Sequence, residues 1–384
     1  MTDINSRRSI ISIVYLAVVG PCVFILQPGY VQGLVEYLGF TEQEAGLIAS
    51  YEIFGVAGTC FLLSLVAQRI PWRPFLYFCC AISAVGNFAS LGQTDFGTLG
   101  LLRFITGIGS GGLISLTFMM MGLTERADRN FGYLVTWVLI WGAFGLWLMP
   151  QGYQLIGMNG ILAVFGIFCA SGLLFVPALP NSSEAVALDH LPEANYHGGI
   201  KLIALAAMLV YNTAIGLVWA YLFLIGIEAG MGEQSVANAL TISQFLGIAG
   251  AFSVVVLEMR LGRLKPLQVG ILGGAVSVFM LIGEVGALGF WVAVCVFNYL
   301  WNLCVPYLMA ILSDFDLRGR MTTHGVSMQM LGFALGPYIA AQLLESGGYD
   351  LVNGAAIAMF LLASILVLPG LIAQHRLRQT HSVT

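Results

Sequence analysis

Residues 202–227 read LIALAAMLVYNTAIGLVWAYLFLIGI, a run of 26 residues without a charged side chain. A helix needs about 20 apolar residues to cross a hydrocarbon layer roughly 30 Å thick, so this run is long enough to span a membrane. Working outward from it, we find twelve such runs separated by short polar breaks. Six precede a polar stretch at 181–199, at 9–33, 44–67, 74–93, 98–122, 131–154 and 158–179, and six follow it, at 200–227, 234–257, 267–287, 289–312, 322–344 and 351–373. The runs are too long and too uniformly apolar for the alternating strands of a membrane β-barrel. The sequence therefore predicts an all-α protein with twelve transmembrane helices.

The composition supports a membrane protein. Hydrophobic residues make up 59% of the 384 residues and charged residues only 9%. A soluble domain carries about 25% charged residues, and 15 basic plus 19 acidic side chains cannot cover a soluble surface of this size. The net charge of −4 provides no basic footprint for nucleic acid. We therefore expect the chain to lie in a lipid bilayer and to have no nucleic-acid partner.

The positive charges predict the orientation. Fourteen of the fifteen cations lie in loops on one side of the predicted spans, and the loops on the other side contain none. Because Lys and Arg are retained on the cytoplasmic side, both termini are predicted to be cytoplasmic, and the short loops favour a bacterial inner membrane. The remaining cation, Arg103, lies inside the fourth span. The fourteen loop cations are Arg7, Arg8, Arg69, Arg73, Arg126, Arg129, Lys201, Arg260, Arg263, Lys265, Arg318, Arg320, Arg376 and Arg378.

The chain contains a weak internal repeat. Arg69 and Arg260 follow the second and eighth spans and lie 191 residues apart. The same offset relates Arg129 to Arg320, Gly145 to Gly336 and Gln151 to Gln342. A shared offset at equivalent positions predicts two parallel six-helix bundles, at 1–180 and 200–384, joined by a cytoplasmic linker at 181–199.

Two cytoplasmic loops, one in each half, share a pattern of arginine and glycine. The residues that carry it are Arg69, Arg73, Arg260, Gly262 and Arg263. This pattern, the twelve spans and the parallel halves together resemble the major facilitator superfamily over essentially the whole chain. The first loop departs from the family pattern, because Gln68 stands where the family usually has Asp. The resemblance implies a secondary transporter that works by alternating access, in which these loops gate the cytoplasmic face.

Two further segments resemble motifs of that family. Residues 101–107, LLRFITG, look like its fourth-span motif, whose arginine is linked to proton coupling in many members. Residues 332–337, GFALGP, resemble the glycine-proline motif of its antiporters. That motif belongs to span five, where this chain reads WGAFGL at 141–146 and has no proline. This departure weakens a specific assignment to the drug/proton antiporters.

Two charged residues are predicted to lie within the hydrocarbon. Arg103 is about five residues into the fourth span from the outer side, and Glu52 is about eight residues into the second. A charged side chain at a helix centre costs about 2.5–3.5 kcal/mol on insertion scales, so each is a functional candidate. Their similar depth allows them to pair, and protonation of Glu52 or an anionic substrate near Arg103 would break the pair. A static ion pair that fixes helix packing is the alternative.

The substrate of a transporter with two similar halves is expected at the midplane between them. The candidates are uncharged polar and aromatic residues at that depth: Gln27, Tyr30, Trp137, Trp141, Tyr211, Asn212, Trp219, Gln244, Asn298, Trp301 and Asn302. Asn298 and Asn302 lie one turn apart on one helix face and form the strongest set with their aromatic neighbours. Each candidate can instead serve helix packing or the aromatic belt at the membrane surface.

No cofactor or metal site is predicted, and the chain is not expected to be an enzyme. Gly107, Gly109 and Gly112 match the dinucleotide fingerprint G-x-G-x-x-G, but they lie in a membrane span and do not follow a strand. Close helix packing through small residues explains them better. All seven cysteines fall within spans.

The leading hypothesis is a secondary active transporter in which two halves rock around a central site. It would take up a small organic solute, an organic anion or an aromatic compound, with protons coupled through Glu52 and Arg103. Two alternatives stay open: a proton-driven efflux pump for hydrophobic compounds, and a receptor of the same fold that transports nothing. We expect a monomer whose partners are the solute, protons and the lipid bilayer.

Overall fold

A computed structural model of the chain describes residues 3–67, 69–181, 198–315 and 320–381, and every regular element in these ranges is helical. The first half contains α1 (Arg7–Val19), α2 (Cys22–Ile25), α3 (Gln27–Leu38), α4 (Glu42–Val66), α5 (Trp72–Ala89), α6 (Phe96–Gly122) and α7 (Ala127–Ser171), followed by two short 3-10 turns. The second half contains α8 (Gly198–Trp219), α9 (Leu222–Glu228), α10 (Glu233–Leu261), α11 (Leu264–Phe279), α12 (Ala287–Asp314) and α13 (Arg320–His381).

Two helices are each long enough to cross a membrane twice, and each is interrupted at glycine. In α7, Gly157 has φ 65° and ψ −177°, and Trp141 from one arm stacks on Phe168 from the other with ring centroids 4.3 Å apart. In α13, Gly347 and Gly348 leave the helical conformation. Among the described residues, seven helices are long and apolar enough to cross a membrane. Two of these seven, α7 and α13, reverse at glycine and so count as two spans each. The broken helix α1–α3 and the shorter helices α5 and α11 add three more, and the structure is therefore consistent with the twelve predicted spans. The all-α membrane fold predicted from the sequence is confirmed.

The N-terminus and every second loop between the spans lie on one face of the molecule, which we call the terminal face. We call the opposite face the distal face. Asn5 Oδ1 accepts a hydrogen bond from the backbone N–H of Glu125 at 2.8 Å. Ser9 Oγ donates to the carbonyl of Ala178 at 2.8 Å. The predicted linker lies outside the described residues from 182 to 197, as do Gln68 and Arg318, so the division into halves at 180 and 200 stays a prediction.

Local capping fixes the distal ends of the two central helices of the first half. Thr41 Oγ1 accepts from the N–H of Glu44 at 3.2 Å, while Glu44 Oε2 accepts from the N–H of Thr41 at 3.0 Å. At the start of α6, Asp95 Oδ2 accepts from the N–H of Thr98 at 2.7 Å. Side-chain oxygens at these positions satisfy N–H groups that a helix start leaves unpaired, and acidic charge there favours the helix dipole. The caps therefore fix where α4 and α6 begin on the distal side.

Glycines bring α6 against its neighbours. A Cβ at Gly107 would overlap the backbone carbonyl of Glu52 on α4, and one at Gly109 would overlap the side chain of Ser83 on α5. Small residues let helix backbones approach closely in lipid, where packing drives association. The G-x-G-x-x-G sequence is therefore a packing surface, as its place within a span indicates.

The two halves are sealed at the distal face. Side-chain hydrogen bonds across the seam join Gln32 to Glu233, Glu42 to Tyr221, Ser50 to Ala334, Ala143 to Thr241 and Trp147 to Gln234, all on the distal side of the molecule or near its middle. Among the described residues, these hydrogen bonds between the halves thus lie away from the termini.

Candidate functional site

The centre of the first half contains a buried ion pair. Arg103 on α6 donates from Nε and Nη2 to the two carboxylate oxygens of Glu52 on α4, at 3.1 and 2.6 Å. Arg103 is fully buried and Glu52 is 6% exposed. The sequence left open whether these residues pair. The structure joins them in the two-pronged geometry that a guanidinium forms with a carboxylate.

Two further helices surround the guanidinium. Arg103 Nη1 donates to Asn87 Oδ1 on α5 at 2.9 Å, and the ring of Tyr30 on α3 lies 5.5 Å from the guanidinium carbon, within reach of a cation–π contact. Asn87 Nδ2 donates in turn to the carbonyl of Ser83 at 2.8 Å and to Cys169 Sγ at 3.7 Å. In this conformation no part of Arg103 is exposed to a solute.

Asn87 is a site residue that the sequence reasoning missed. It is a polar side chain near the distal end of α5 (Trp72–Ala89) and is fully buried. Its depth, similar to that of Arg103, was the available signal. A neutral amide that accepts from the guanidinium replaces one of the hydrogen bonds that Arg103 loses on leaving water, and a buried ion pair depends on such extra bonds.

A small cavity lies on the terminal side of Glu52. Glu52 and Ser110 contribute to its wall, with Phe24 of the first span and Met330 of α13. Its volume is about 10 Å³, which is near the smallest space that holds one water molecule. Ser110 is seven residues beyond Arg103 along α6, so it lies about 10 Å closer to the terminal face. The cavity is therefore bordered by Glu52 in the first half and by Met330 across the seam.

The first span is broken where it passes this cavity. Pro21 between α1 and α2 and Pro28 in α3 have no N–H to donate, and Pro28 is the residue whose N–H would otherwise bond the carbonyl of Phe24. Trp141 Nε1 donates to the carbonyl of Cys22 at 3.0 Å, and Trp219 Nε1 donates to that of Phe24 at 3.4 Å. One indole belongs to the same half as the broken helix and the other belongs to the opposite half.

Four aromatic rings, which we call the central aromatic cluster, meet at the seam: Phe24, Trp219, Trp301 and Phe333. Phe24 comes from the first half and lies 4.8 Å from Phe333, centroid to centroid. Trp301 lies 5.4 Å from Trp219 and 5.6 Å from Phe333, edge to face in both cases. Such rings offer a large apolar surface with a preference for other aromatic groups. Trp219 and Trp301 were predicted; Phe24 and Phe333 were not, because a phenylalanine in a membrane span carries no distinguishing signal.

Several buried polar groups near this seam have no hydrogen-bond partner among the described residues. Neither amide atom of Gln27 is bonded, and neither are Gln244 Oε1 and the hydroxyl of Tyr30. Gln244 on α10 lies against the first half, since a Cβ at Gly142 would be 3.2 Å from its amide. An unsatisfied buried polar group costs about 1–3 kcal/mol, so these atoms are positions where a ligand or a water molecule supplies the missing bond.

Asn298 and Asn302, the strongest pair predicted from the sequence, bond within the second half. Asn302 Nδ2 donates to Asn298 Oδ1 at 2.8 Å, and Asn298 Nδ2 donates to Ser243 Oγ on α10 at 3.1 Å. A Cβ at Gly247 would be 2.7 Å from both asparagine amides. The amides therefore join α10 to α12, which is the packing role that the sequence left open as the alternative.

Three other predicted residues stand apart from the central aromatic cluster. Trp137 is 55% exposed, on the side of α7 that also exposes Phe144. Tyr211 packs edge to face on Phe360, with centroids 5.6 Å apart. Asn212 Nδ2 donates to the carbonyl one turn earlier in its own helix, at 2.7 Å, and its Oδ1 is buried without a partner.

The predicted gate arginines fix loops at the terminal face. Arg263 Nη1 donates to Asp314 Oδ2 at 2.6 Å within the second half. Arg73 Nε donates to the carbonyl of Leu179 within the first half. The other predicted gate residues are Arg69, which is exposed, Gly262, which has φ 68° in the turn before α11, and Arg260, whose side chain lies outside the described part of the chain. Their role in gating stays a prediction.

Comparison with known proteins agrees with this architecture. The family model described as Major Facilitator Superfamily matches residues 13–323. Among solved structures, the chain is similar to a crystal structure of a mutant of the nucleoside transporter NupG. The TM-score is 0.73 at 13% sequence identity, over 94% of this chain and 99% of that chain. No curated protein matches the sequence. At this identity the structural likeness concerns the fold alone.

Proposed function

The chain belongs to the major facilitator superfamily and is a secondary transporter, and from that premise we propose that it imports a small aromatic solute together with protons. The proposal is carried by one observation: the buried Glu52–Arg103 pair borders a cavity at the seam of a molecule that is sealed at the distal face. We take the terminal face to be cytoplasmic, because fourteen of the fifteen cations lie in loops on that side.

The ion pair supports proton coupling through its own electrostatics. Ionised Glu52 neutralises the fully buried Arg103, and protonation of Glu52 leaves the guanidinium without its anion. The pair is therefore stable only while Glu52 is ionised. In the proposed cycle, Glu52 is protonated when the distal face is open, and it releases the proton and forms the pair in the distally sealed conformation. A proton moving down its gradient then drives the halves in one direction.

The seam supports an aromatic solute with a few polar groups. The central aromatic cluster provides ring surfaces, and Gln27 and Gln244 provide amide atoms without partners. Arg103 is enclosed in this conformation, so an organic anion is the second choice. The similar fold of NupG, a nucleoside transporter by its printed name, adds one solute class. Nucleosides combine an aromatic base with several hydrogen-bonding groups, and they are the first solutes to test.

Transport into liposomes tests the proposal. Nucleosides, nucleobases, aromatic amino acids and aromatic carboxylates are first ranked by the increase in thermal stability that each gives the purified protein. Radiolabelled uridine and the best binders are then offered to proteoliposomes with an acidic exterior. We expect accumulation that collapses when a protonophore dissipates the pH gradient. Accumulation that is independent of the gradient would contradict proton coupling.

The same experiment separates the two alternatives. A proton-driven efflux pump exchanges solute for protons, so it accumulates solute when the liposome interior, and not the exterior, is acidic. A receptor binds a solute without moving it, so a thermal shift without flux under either gradient would favour that function. Flux of any bound compound excludes the receptor.

A further inference from the structure

The hydroxyl of Ser110 differs from those of its neighbours on α6. Thr106 and Thr117 donate to the carbonyls of Leu102 and Leu113 in their own helix, at 2.7 and 2.6 Å. This local bond is the usual partner of a hydroxyl in a helix interior. Ser110 makes no hydrogen bond to any described residue, and its side chain contributes to the wall of the cavity beside Glu52. The Ser110 hydroxyl is therefore available to form a hydrogen bond with a molecule inside the cavity.

The size of the cavity and the character of its wall fit a single water molecule. The volume is about 10 Å³, and a buried water needs two to four polar partners in such a space. Glu52 and Ser110 are the residues of the wall that carry polar side chains, and the others, with Ile53, Ile114 and Met330 among them, have apolar side chains or none. A metal cation is less suited, because Arg103 already neutralises Glu52.

The cavity lies between Glu52 and the terminal face, on the side of Glu52 away from the closed distal seam. Ser110 and Ile114 follow Arg103 along α6 toward the terminal face, and Val56 follows Glu52 along α4 in the same direction. The distal side of the seam is closed by the cross-half hydrogen bonds. A proton that leaves Glu52 in this conformation is therefore directed toward the terminal side.

We propose that Ser110 is a positioning residue that holds one water molecule against Glu52, and that this water carries the proton from Glu52 toward the terminal face. The inference rests on the proposed proton coupling and adds its route. The O–H bond of protonated Glu52 breaks as the proton bonds to the water oxygen. The hydronium formed gives up a different proton to water on the terminal side. Ser110 Oγ accepts a hydrogen bond from the water throughout and stays intact, and the carboxylate left behind accepts both bonds from Arg103.

The test follows the proton itself, so it needs no known solute. Full-length protein in lipid nanodiscs is subjected to a rapid rise in pH, and the carboxyl C=O infrared band that Glu52→Gln removes is followed in time. We expect Ser110→Ala to slow the loss of this band about tenfold or more, since a misplaced proton-transfer partner costs at least that much. Ser110→Thr keeps the hydroxyl and should restore the rate. Thr117→Val, which removes a hydroxyl bonded only within α6, is the matched control.

The equilibrium titration of the same band separates positioning from structure. Ser110→Ala should change the rate and leave the titration midpoint of Glu52 in place, whereas a damaged ion pair would shift the midpoint. Equal rates in wild type and Ser110→Ala, or a shifted midpoint, would overturn the inference. If no carboxyl band of Glu52 titrates in the wild type, the proposed proton coupling itself is wrong. Thermal unfolding of each variant shows which are folded, and Ser110→Cys, whose thiol is only a weak hydrogen-bonding group, takes the place of Ser110→Ala if that variant is not.

Discussion

Arg103 Nη2 lies 2.6 Å from Glu52 Oε1, at the place where Gly107 brings the backbone of α6 against that of α4. The close approach of the two helices and the pairing of the two charges therefore depend on each other. A change in helix packing strains the pair, and a change in charge acts on the packing. We therefore expect the pair to affect both stability and the proposed proton coupling, and the first two predictions separate these effects.

Glu52→Gln should abolish proton-driven accumulation while preserving solute binding. Glutamine has the size of glutamate and still accepts a hydrogen bond from Arg103, but it cannot take up and release a proton. Uptake under an imposed pH gradient and binding by thermal shift measure the two properties in one preparation. Glu284→Gln, at an exposed carboxylate on the distal face, is the control. Unchanged accumulation in Glu52→Gln would mean that Glu52 is purely structural.

Removing one charge of the pair should destabilise the protein more than removing both. Arg103→Met leaves Glu52 buried without a partner, and such a loss typically costs about 3–5 kcal/mol. The double variant Arg103→Met/Glu52→Gln leaves no charge and should recover part of that loss. The midpoint of thermal unfolding in detergent measures the order of the variants, with Arg69→Met at an exposed arginine as the control. A double variant less stable than Arg103→Met would contradict the prediction.

Gly46→Ala should prevent closure of the distal face. A Cβ at Gly46 would overlap the hydroxyl of Tyr221 from the opposite half, which donates to the carbonyl of Glu42 at 3.3 Å. Gln32→Cys, at a buried distal position, should therefore become more reactive toward a membrane-impermeant maleimide when Gly46→Ala is added.

Two further variants make this steric argument specific. Tyr221→Phe removes the overlapping hydroxyl, so it should restore protection of the cysteine in the Gly46→Ala background. Gly58→Ala, on the same helix and with nothing within 4 Å of its Cβ, should have no effect. Equal labelling in all of these variants would show that the contact at Gly46 does not control closure.

Trp219→Phe should shift the balance of conformations toward the distally open form. The substitution keeps an aromatic ring in the central aromatic cluster but removes the indole N–H that bonds Phe24 across the seam. A neutral hydrogen bond contributes about 0.5–1.5 kcal/mol, which corresponds to a shift of about twofold to tenfold in the equilibrium. Labelling of the same Gln32→Cys reporter measures it. Trp137→Phe, at an exposed ring, should leave the labelling rate at the wild-type value.

The cap at Asp95 should make the stability of α6 depend on pH. Its carboxylate accepts the backbone N–H of Thr98, and this bond lowers the pKa of Asp95 below its usual value. The contribution of the ionised cap is therefore complete above the usual pKa of an aspartate, and it is lost as the pH falls through the lowered pKa. Asp95→Ala should be less stable than wild type at neutral pH, and the difference should shrink in acid. A constant difference at all pH values would contradict this.

The sequence predicted the all-α membrane fold correctly, because the bilayer imposes long apolar helices, and the twelve predicted spans are consistent with the structure. Hydrophobic length selects membrane helices almost independently of packing. The depth of Glu52 and Arg103 followed from counting residues, but their pairing did not. Pairing depends on the rotation of α4 and α6 about their axes, and the contact of Gly107 with the backbone of Glu52 sets that rotation.

The same limit explains Asn298 and Asn302. Their spacing correctly places them on one face of a helix, and the sequence cannot state what that face meets. The close approach at Gly247 turns it toward α10, so both amides are used within the second half. Ser110 had no sequence signal at all, because a serine that bonds its own helix and one that faces a cavity look identical in sequence.

We expect the break in the first span to lower the free-energy cost of moving the two halves relative to each other during transport. A continuous helix that bent during transport would have to open backbone hydrogen bonds inside the membrane, where each unsatisfied group costs several kcal/mol. Here the carbonyls of Cys22 and Phe24 are already held by indoles. Trp141 belongs to the same half as the broken helix, so we expect it to keep its bond while the halves move, whereas the 3.4 Å bond of Trp219 is exchanged. The helix would then be unwound once, during folding, and not again in each turnover.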